Sequence, residues 1–158
     1  MKSMILAVLL VASSSIDLAQ AQTTKWIPLS NSMYVMQTND DDHIHLMASI
    51  DSRDNKLSFS IMDLTGTVCK EDGSVTEPEK FPPIKINGKY VRVLSMCING
   101  SRLIAPETPD GRIYFHDQIQ SGKLVTIEIY LGPSPILHFE GALPSDLLKK
   151  LLESENAM

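Results

Sequence analysis

The sequence predicts a mainly β domain, an antiparallel β-sandwich or small barrel, with one α-helix near its C-terminus. Short runs in which apolar and polar residues alternate recur along the chain after residue 40. Gly, Asn, Asp and Pro separate these runs at intervals of roughly 8–12 residues, a spacing typical of all-β domains. Apolar residues at helical spacing are confined to the end of the chain.

The first strong signal is a β-hairpin. Residues 43–50 and 57–62 both alternate between apolar and polar side chains. The intervening residues 51–55 are Asp, Ser, Arg, Asp and Asn, which favour a turn. This pattern predicts two antiparallel strands that bury one face.

A second hairpin is predicted at Asn87-Gly88, because Asn-Gly favours the positive backbone angles of a tight turn. Its strands are expected at 84–86 and 90–98. The second run is apolar at both even and odd positions, which indicates a central strand. Residues 70–83 are charged, rich in turn residues and end in two prolines, so we expect a long loop there.

Shorter patterns complete the predicted fold. Residues 113–115 follow a Pro-Asp-Gly turn and are expected to form a short strand. Residues 125–131 alternate as a half-buried strand, and 136–140 form the next one. A helix over about 145–154 begins with Ser145 as its N-cap and carries a stripe of leucines.

Residues 1–21 have the pattern of a cleavable secretory signal peptide. Lys2 supplies the positive charge, residues 4–12 are apolar, and residues 19–21 place small side chains before the cleavage point. The apolar run is far shorter than the ~20 residues that span a bilayer. We therefore expect a periplasmic or secreted protein with one β-rich domain at 22–158 and no integral membrane span.

The formal net charge of −5 excludes some partner classes. Proteins that bind nucleic acid present a basic face, and an anionic membrane surface also attracts basic segments. The acidic balance argues against both partners, whereas a basic protein partner fits it.

The two cysteines, Cys69 and Cys97, are predicted to form a disulfide. Export places them in an oxidising compartment, where a lone pair usually bridges. The alternative, a redox-active pair, normally needs the close spacing of a Cys-x-x-Cys motif, which this pair lacks.

The segment with the most suggestive chemistry is Asp40-Asp41-Asp42, followed by His43 and His45. The two histidines are two apart on a predicted strand, so their imidazoles share a face and have the geometry to chelate a metal with a carboxylate. The alternative is a solvated acidic turn that leads into a strand. The three aspartates are also candidates for contact with a protein partner.

No catalytic motif is evident. The chain has no Gly-x-Ser-x-Gly elbow, phosphate loop, dinucleotide fingerprint or zinc-finger spacing, so we expect neither an enzyme nor a cofactor. His116-Asp117, His138 and Glu140 supply acid–base residue types without a nucleophile to accompany them. Trp26 either anchors a partner or pins the first segment to the core.

Residues 90–152 carry a sequence of turn and strand residues that resembles small periplasmic β-proteins of the invasion-associated locus B type. The residues concerned are Cys97, Asn99, Gly100, Pro106, Thr108, Gly111, Tyr114, Phe115, Gly122, Val125, Ile127, Phe139, Gly141 and Ala142. The resemblance implies a non-enzymatic, virulence-associated envelope protein linked to host interaction or secretion, and it implies no catalytic residues.

These observations leave three functional hypotheses. The first is an exported binding or accessory protein that acts through protein contacts in secretion, envelope assembly or host interaction. The second is an inhibitor or immunity protein that plugs the basic cleft of an envelope enzyme such as a lysozyme with acidic loops at 40–42 or 71–79. The third is a metal-binding protein or metal-dependent hydrolase that uses His43 and His45.

Overall fold

The computed structural model describes residues 26–30, 33–38, 40–51, 56–66, 68–70, 73–121, 123–129 and 136–140, and single residues at 143, 147, 149 and 153. The predicted signal peptide lies outside the described residues. The elements are β1 (Ile27–Ser30), β2 (Met33–Gln37), β3 (Ile44–Asp51), β4 (Lys56–Asp63), β5 (Glu79–Ile86), β6 (Lys89–Ile98), β7 (Ser101–Pro106), α1 (Pro109–Gln120), β8 (Val125–Glu128) and β9 (Ile136–Phe139).

The strands form one antiparallel sheet, which confirms the mainly β prediction. Within the described residues nine strands lie in the order β1-β2-β3-β4-β7-β6-β5-β8-β9. The strands β1 and β9 are the two edges, so the sheet is not closed into a barrel. Both predicted hairpins are present, as β3–β4 and as β5–β6 with Asn87 and Gly88 at positive φ.

The core lies on one face of the sheet, against which α1 packs through β4 and β7. Alternation places the inward residues of each strand on this face. Fully buried members are Met36, Leu46, Ile61, Ile84, Ile86, Ile104, Phe115, Ile119, Ile127, Ile129 and Phe139. Trp26 is also buried, with its ring 6.2 Å from that of Phe59, so the indole pins the first segment to the core.

The predicted strand at 113–115 is wrong, because these residues lie within α1. The preceding Pro-Asp-Gly begins a helix instead of making a turn. Thr108 is the N-cap and its side chain accepts a hydrogen bond from the Gly111 amide, Pro109 occupies the first turn, and Asp110 adds favourable negative charge there. A three-residue apolar run was too short to distinguish helix from strand.

The predicted loop at 70–83 is too long, because β5 begins at Glu79. Pro82 and Pro83 lie inside this strand, where the register with β6 shifts between Phe81 and Ile84. An irregularity of this kind tolerates residues that cannot donate to the ladder. The two prolines therefore mark a bulge in β5 rather than the end of a loop.

The predicted C-terminal helix is confirmed at the positions that the structure describes. Leu147, Lys149 and Glu153 are helical, and Leu147 is buried in the core. Lys149 and Glu153 are four residues apart and form an exposed ion pair at 3.6 Å. The proposed cap at Ser145 lies outside the described residues.

Candidate functional site

The predicted acidic run, the histidine His43 and the two cysteines lie at one end of the sheet, whereas Trp26 lies in the core. Ile44 at the start of β3 pairs with Asp63 at the end of β4, and Asp63 pairs with Arg102 at the start of β7. Arg102 in turn pairs with Cys97 near the end of β6. The described residues of 38–43 and 64–78 therefore emerge together with the Asn99-Gly100 turn, and we call this group the loop end.

A disulfide and hydrogen bonds fix the backbone of the loop end. Cys69 and Cys97 are bonded, as predicted, with their Cα atoms 5.5 Å apart. The Thr76 amide donates to the Cys97 carbonyl at 3.0 Å, and the Cys97 amide donates to Thr76 Oγ1 at 2.9 Å. Val75 forms an isolated bridge with Ile98. The segment is thus held against the end of β6.

A buried ion pair lies beneath these loops. Arg102 donates to Asp63 Oδ2 from Nη2 at 2.6 Å and from Nε at 3.1 Å. Asp63 Oδ1 accepts from the Thr65 amide at 2.9 Å and from its hydroxyl at 2.7 Å. Burial alone would raise the pKa of Asp63, but the hydrogen bonds from Thr65 and Arg102 outweigh it, so the pKa of this carboxyl is lowered.

The guanidinium of Arg102 also lies over an aromatic ring, 5.5 Å from the centroid of Phe81. The side chain of Asp63 is only 3% exposed and that of Arg102 only 14%. Charges this deeply buried are tolerated because each is paired and hydrogen-bonded. The pair joins the end of β4 to the start of β7 and so stabilises the base of the loop end.

Large apolar side chains of the loop end face solvent. Leu64 is 41% exposed, Val68 59% and Val75 65%. The amide of Leu64 donates to the His43 carbonyl at 2.8 Å, which joins the 64–78 segment to the acidic segment before β3. Glu77 and Glu79 are exposed farther along the same stretch of chain. The loop end therefore combines exposed apolar residues with acidic ones.

The three aspartates of the acidic run have different roles. Asp40 accepts a hydrogen bond from the amide of His138 at 2.6 Å and lies 3.1 Å from its Nδ1. Asp41 accepts from the His43 amide at 2.8 Å and so shapes its own loop. Asp42 is exposed, and the contact of its side chain with the described residues is a long one, 3.4 Å, with the side-chain amide of Gln37. Asp42 is therefore the member most available to a partner.

The contact of Asp40 with His138 joins distant parts of the sheet. Asp40 follows β2, near one edge of the sheet, whereas His138 lies on β9, the opposite edge strand. The Asp40 carboxylate accepts a hydrogen bond from a backbone N–H of β9 that points away from the sheet. Among the described residues, no neighbouring strand accepts a hydrogen bond from this N–H. Edge strands covered in this way are protected from pairing with other chains.

The two predicted metal ligands differ in exposure. His43 is exposed and lies 3.4 Å from an oxygen of Asp41. His45 is on β3, and its Nδ1 is buried without a hydrogen-bond partner among the described residues. Burial lowers the pKa of His45. No group of three or more His, Cys, Asp or Glu side chains suited to a metal occurs in the described part of the chain. The metal site stays a prediction.

Sequence reasoning missed several features of this end. Val75 stands among polar neighbours inside the predicted loop at 70–83, and Leu64 and Val68 lie between that loop and the predicted strand at 57–62. An apolar side chain with polar neighbours was the available signal for all three. The Asp63–Arg102 pair is 39 positions apart and the Asp40–His138 contact 98 positions apart, so both depend on strand order.

No family model, curated protein or solved structure matches this chain. No helical segment among the described residues is long and apolar enough to cross a membrane. The Cys69–Cys97 disulfide is consistent with an oxidising compartment outside the cytosol.

Proposed function

We propose that this chain is an exported, non-enzymatic binding protein that contacts a protein partner through the loop end, in a role such as secretion, envelope assembly or host interaction. The observation that carries the proposal is the exposure of Leu64, Val68 and Val75 on a segment held by a disulfide and by hydrogen bonds. Exposed apolar groups on a fixed backbone are typical of contact surfaces.

The fixed backbone favours binding for an energetic reason. A partner that docks on a mobile loop must offset the entropy of ordering it, whereas a tethered loop has lost that freedom already. Burial of one Val or Leu side chain is worth about 1.5–3 kcal/mol. Since 1.4 kcal/mol is a tenfold change in affinity, replacing two of these side chains with serine is expected to weaken binding by about a hundredfold or more.

The test is capture of a partner from an envelope extract by the oxidised full chain. The Val68→Ser/Val75→Ser variant is compared with Ile113→Ser, which alters a side chain on α1 that is exposed to a similar degree, 61%. We expect the wild-type chain and Ile113→Ser to retain the same protein, and the loop variant to lose it. Retention by the loop variant, or capture of nothing specific by the wild type, contradicts the proposal.

A second candidate function is inhibition of an envelope enzyme with a basic cleft, such as a lysozyme. The acidic side chains of Asp42, Glu77 and Glu79 at the rim of the same tethered surface favour it. In this case the purified chain lowers the activity of the enzyme, and added salt weakens the effect because it screens exposed charges. Inhibition that is indifferent to Glu77→Gln/Glu79→Gln would contradict this candidate.

A further inference from the structure

Two Asn-Gly turns of this protein have nearly the same backbone conformation. In the β5–β6 turn Asn87 has a φ of 46° and Gly88 a φ of 81°. In the β6–β7 turn the corresponding values are 49° for Asn99 and 81° for Gly100. The two turns therefore form an internally matched pair in which the backbone is constant and the surroundings differ.

The asparagine side chains have opposite environments. The amide nitrogen Nδ2 of Asn87 donates to Gln118 Oε1 at 2.8 Å, and its Oδ1 accepts from the Thr126 amide at 2.8 Å. The Asn99 side chain is exposed and makes no hydrogen bond to the described residues. Its backbone amide donates to the Ser74 carbonyl at 3.3 Å. One carboxamide is thus fixed at both ends, and the other is held by no hydrogen bond from the described residues.

We propose that Asn99 is a site of spontaneous deamidation at the loop end. The backbone nitrogen of Gly100 loses its proton to solvent and attacks the side-chain carbonyl carbon of Asn99. The C–N bond to the side-chain nitrogen breaks, ammonia leaves and a cyclic succinimide forms. Water then opens the ring at either carbonyl and gives aspartate or isoaspartate at this position.

The asparagine side chain must rotate to bring its carbonyl carbon to the attacking nitrogen, and the ease of this rotation decides which of the two asparagines reacts faster. Asn87 must first break both of its side-chain hydrogen bonds, whereas Asn99 has none to break. Gly100 is buried and Gly88 is exposed, which slows proton loss at the Asn99 turn and opposes this order. We expect the two side-chain hydrogen bonds of Asn87 to have the larger effect, so that Asn99 reacts faster.

The product changes the surface to which we assign the binding function. It adds a negative charge to an end of the molecule that already carries exposed acidic residues. Isoaspartate also lengthens the backbone of the turn that holds Ser74, and so displaces the segment that presents Val75. The chemistry itself does not depend on the proposed partner, so its test is separate from that of the binding proposal.

The test follows both asparagines in one sample of the oxidised full chain, incubated at mildly alkaline pH and 37 °C. Trypsin separates them because Lys89 and Arg92 lie between them. Reduction followed by mass spectrometry and an isoaspartate assay quantifies each product. We expect Asn99 to convert at least about tenfold faster than Asn87, a ratio that corresponds to roughly 1.4 kcal/mol.

Two controls make the comparison decisive. The tryptic peptides, incubated unfolded, are expected to convert at similar rates, because the fold no longer distinguishes them. Gln118 is partly exposed, and Gln118→Ala removes one hydrogen bond from Asn87. This variant is expected to accelerate deamidation at Asn87 but not at Asn99. Equal rates in the folded chain, faster conversion of Asn87, or no conversion of Asn99 while its peptide reacts would each overturn the proposal.

Discussion

The loop end and the opposite end of the sheet are stabilised in different ways. At the opposite end, which we call the hairpin end, the Asn87-Gly88 turn packs on α1. Tyr114 donates to the Ile86 carbonyl at 2.9 Å, and Lys89 lies 4.4 Å from the centre of the Tyr114 ring. Both are single non-covalent contacts between the hairpin and a side chain of α1.

The loop end instead combines a covalent link with a buried ion pair, and above them it exposes apolar side chains. The difference indicates that the disulfide and the ion pair of the loop end hold in place exposed apolar residues that do not themselves stabilise the fold. We therefore expect large losses of stability when the disulfide or the ion pair of the loop end is altered. Substitutions at the hairpin end and at the exposed positions of the loop end should cost less.

The largest effect is expected from Cys69→Ala/Cys97→Ala. The disulfide closes a loop with a sequence separation of 28, and on the chain-entropy model such a loop is worth about 3.5 kcal/mol. The free energy of unfolding, from urea titration, should fall by about that amount. Reductant should destabilise the wild-type chain and leave the variant unchanged. A wild-type midpoint that is insensitive to reductant would show that the link does not anchor the loop end.

The next effect is expected from Asp63→Ala, which leaves the charge of Arg102 buried without its partner. Breaking a buried pair in this way costs about 3–5 kcal/mol, and we expect the lower end of that range because the Arg102 side chain is 14% exposed. The change is measured as the loss of unfolding free energy at neutral pH. A loss of unfolding free energy no larger than that of a substitution at an exposed position would mean that the ion pair does not stabilise the loop end.

Acid should reduce this difference between wild type and Asp63→Ala. The pKa of Asp63 is lower in the folded chain than in the unfolded one. The ionised carboxylate therefore stabilises the fold fully at any pH above the pKa that Asp63 has in the unfolded chain. That contribution is lost progressively as the pH falls through the folded pKa. Unfolding free energies of both chains across the acid range check this, and a constant difference would contradict it.

The contrast between the ends also shows how far the sequence could predict this fold. The hairpins β3–β4 and β5–β6 follow from local patterns, and Asn87-Gly88 marked its turn because only a few residue types accept its backbone angles. The disulfide followed from having two cysteines in a chain that the sequence predicts to be exported. Each of these inferences used information from neighbouring residues or from composition.

Other features of the fold depended on contacts between distant parts of the chain, which local sequence patterns do not reveal. The Thr108-Pro109-Asp110 sequence serves a turn and a helix start equally well, and packing of Phe115 into the core selects the helix. The partner of Asp63 is known only once β4 and β7 are neighbours, although they are not consecutive in the chain. The buried ion pair of the loop end was therefore invisible in the sequence, whereas its disulfide and its acidic residues were not.

At the hairpin end, Tyr114→Phe should cost only about 1 kcal/mol, because it removes a single hydrogen bond to the Ile86 carbonyl and keeps the ring. Thermal or urea unfolding measures the loss. Tyr90→Phe is the matched control, since that ring is exposed and keeps its contact with Lys85, and it should change stability by less than about 0.5 kcal/mol. Equal losses in the two variants would remove the assigned role of the Tyr114 hydroxyl.

Effects no larger than that of Tyr114→Phe should separate two aspartates of the loop end. Asp40→Ala and Asp42→Ala remove the same charge, but Asp40 alone bonds the edge strand β9, through the His138 amide. We expect Asp40→Ala to cost about 1 kcal/mol, because its carboxylate is partly exposed, and Asp42→Ala less than about 0.5 kcal/mol. Hydrogen exchange of the His138 amide should accelerate in the first variant only. If it accelerates in both, the acidic run acts through its summed charge, and the division between a structural Asp40 and an available Asp42 fails.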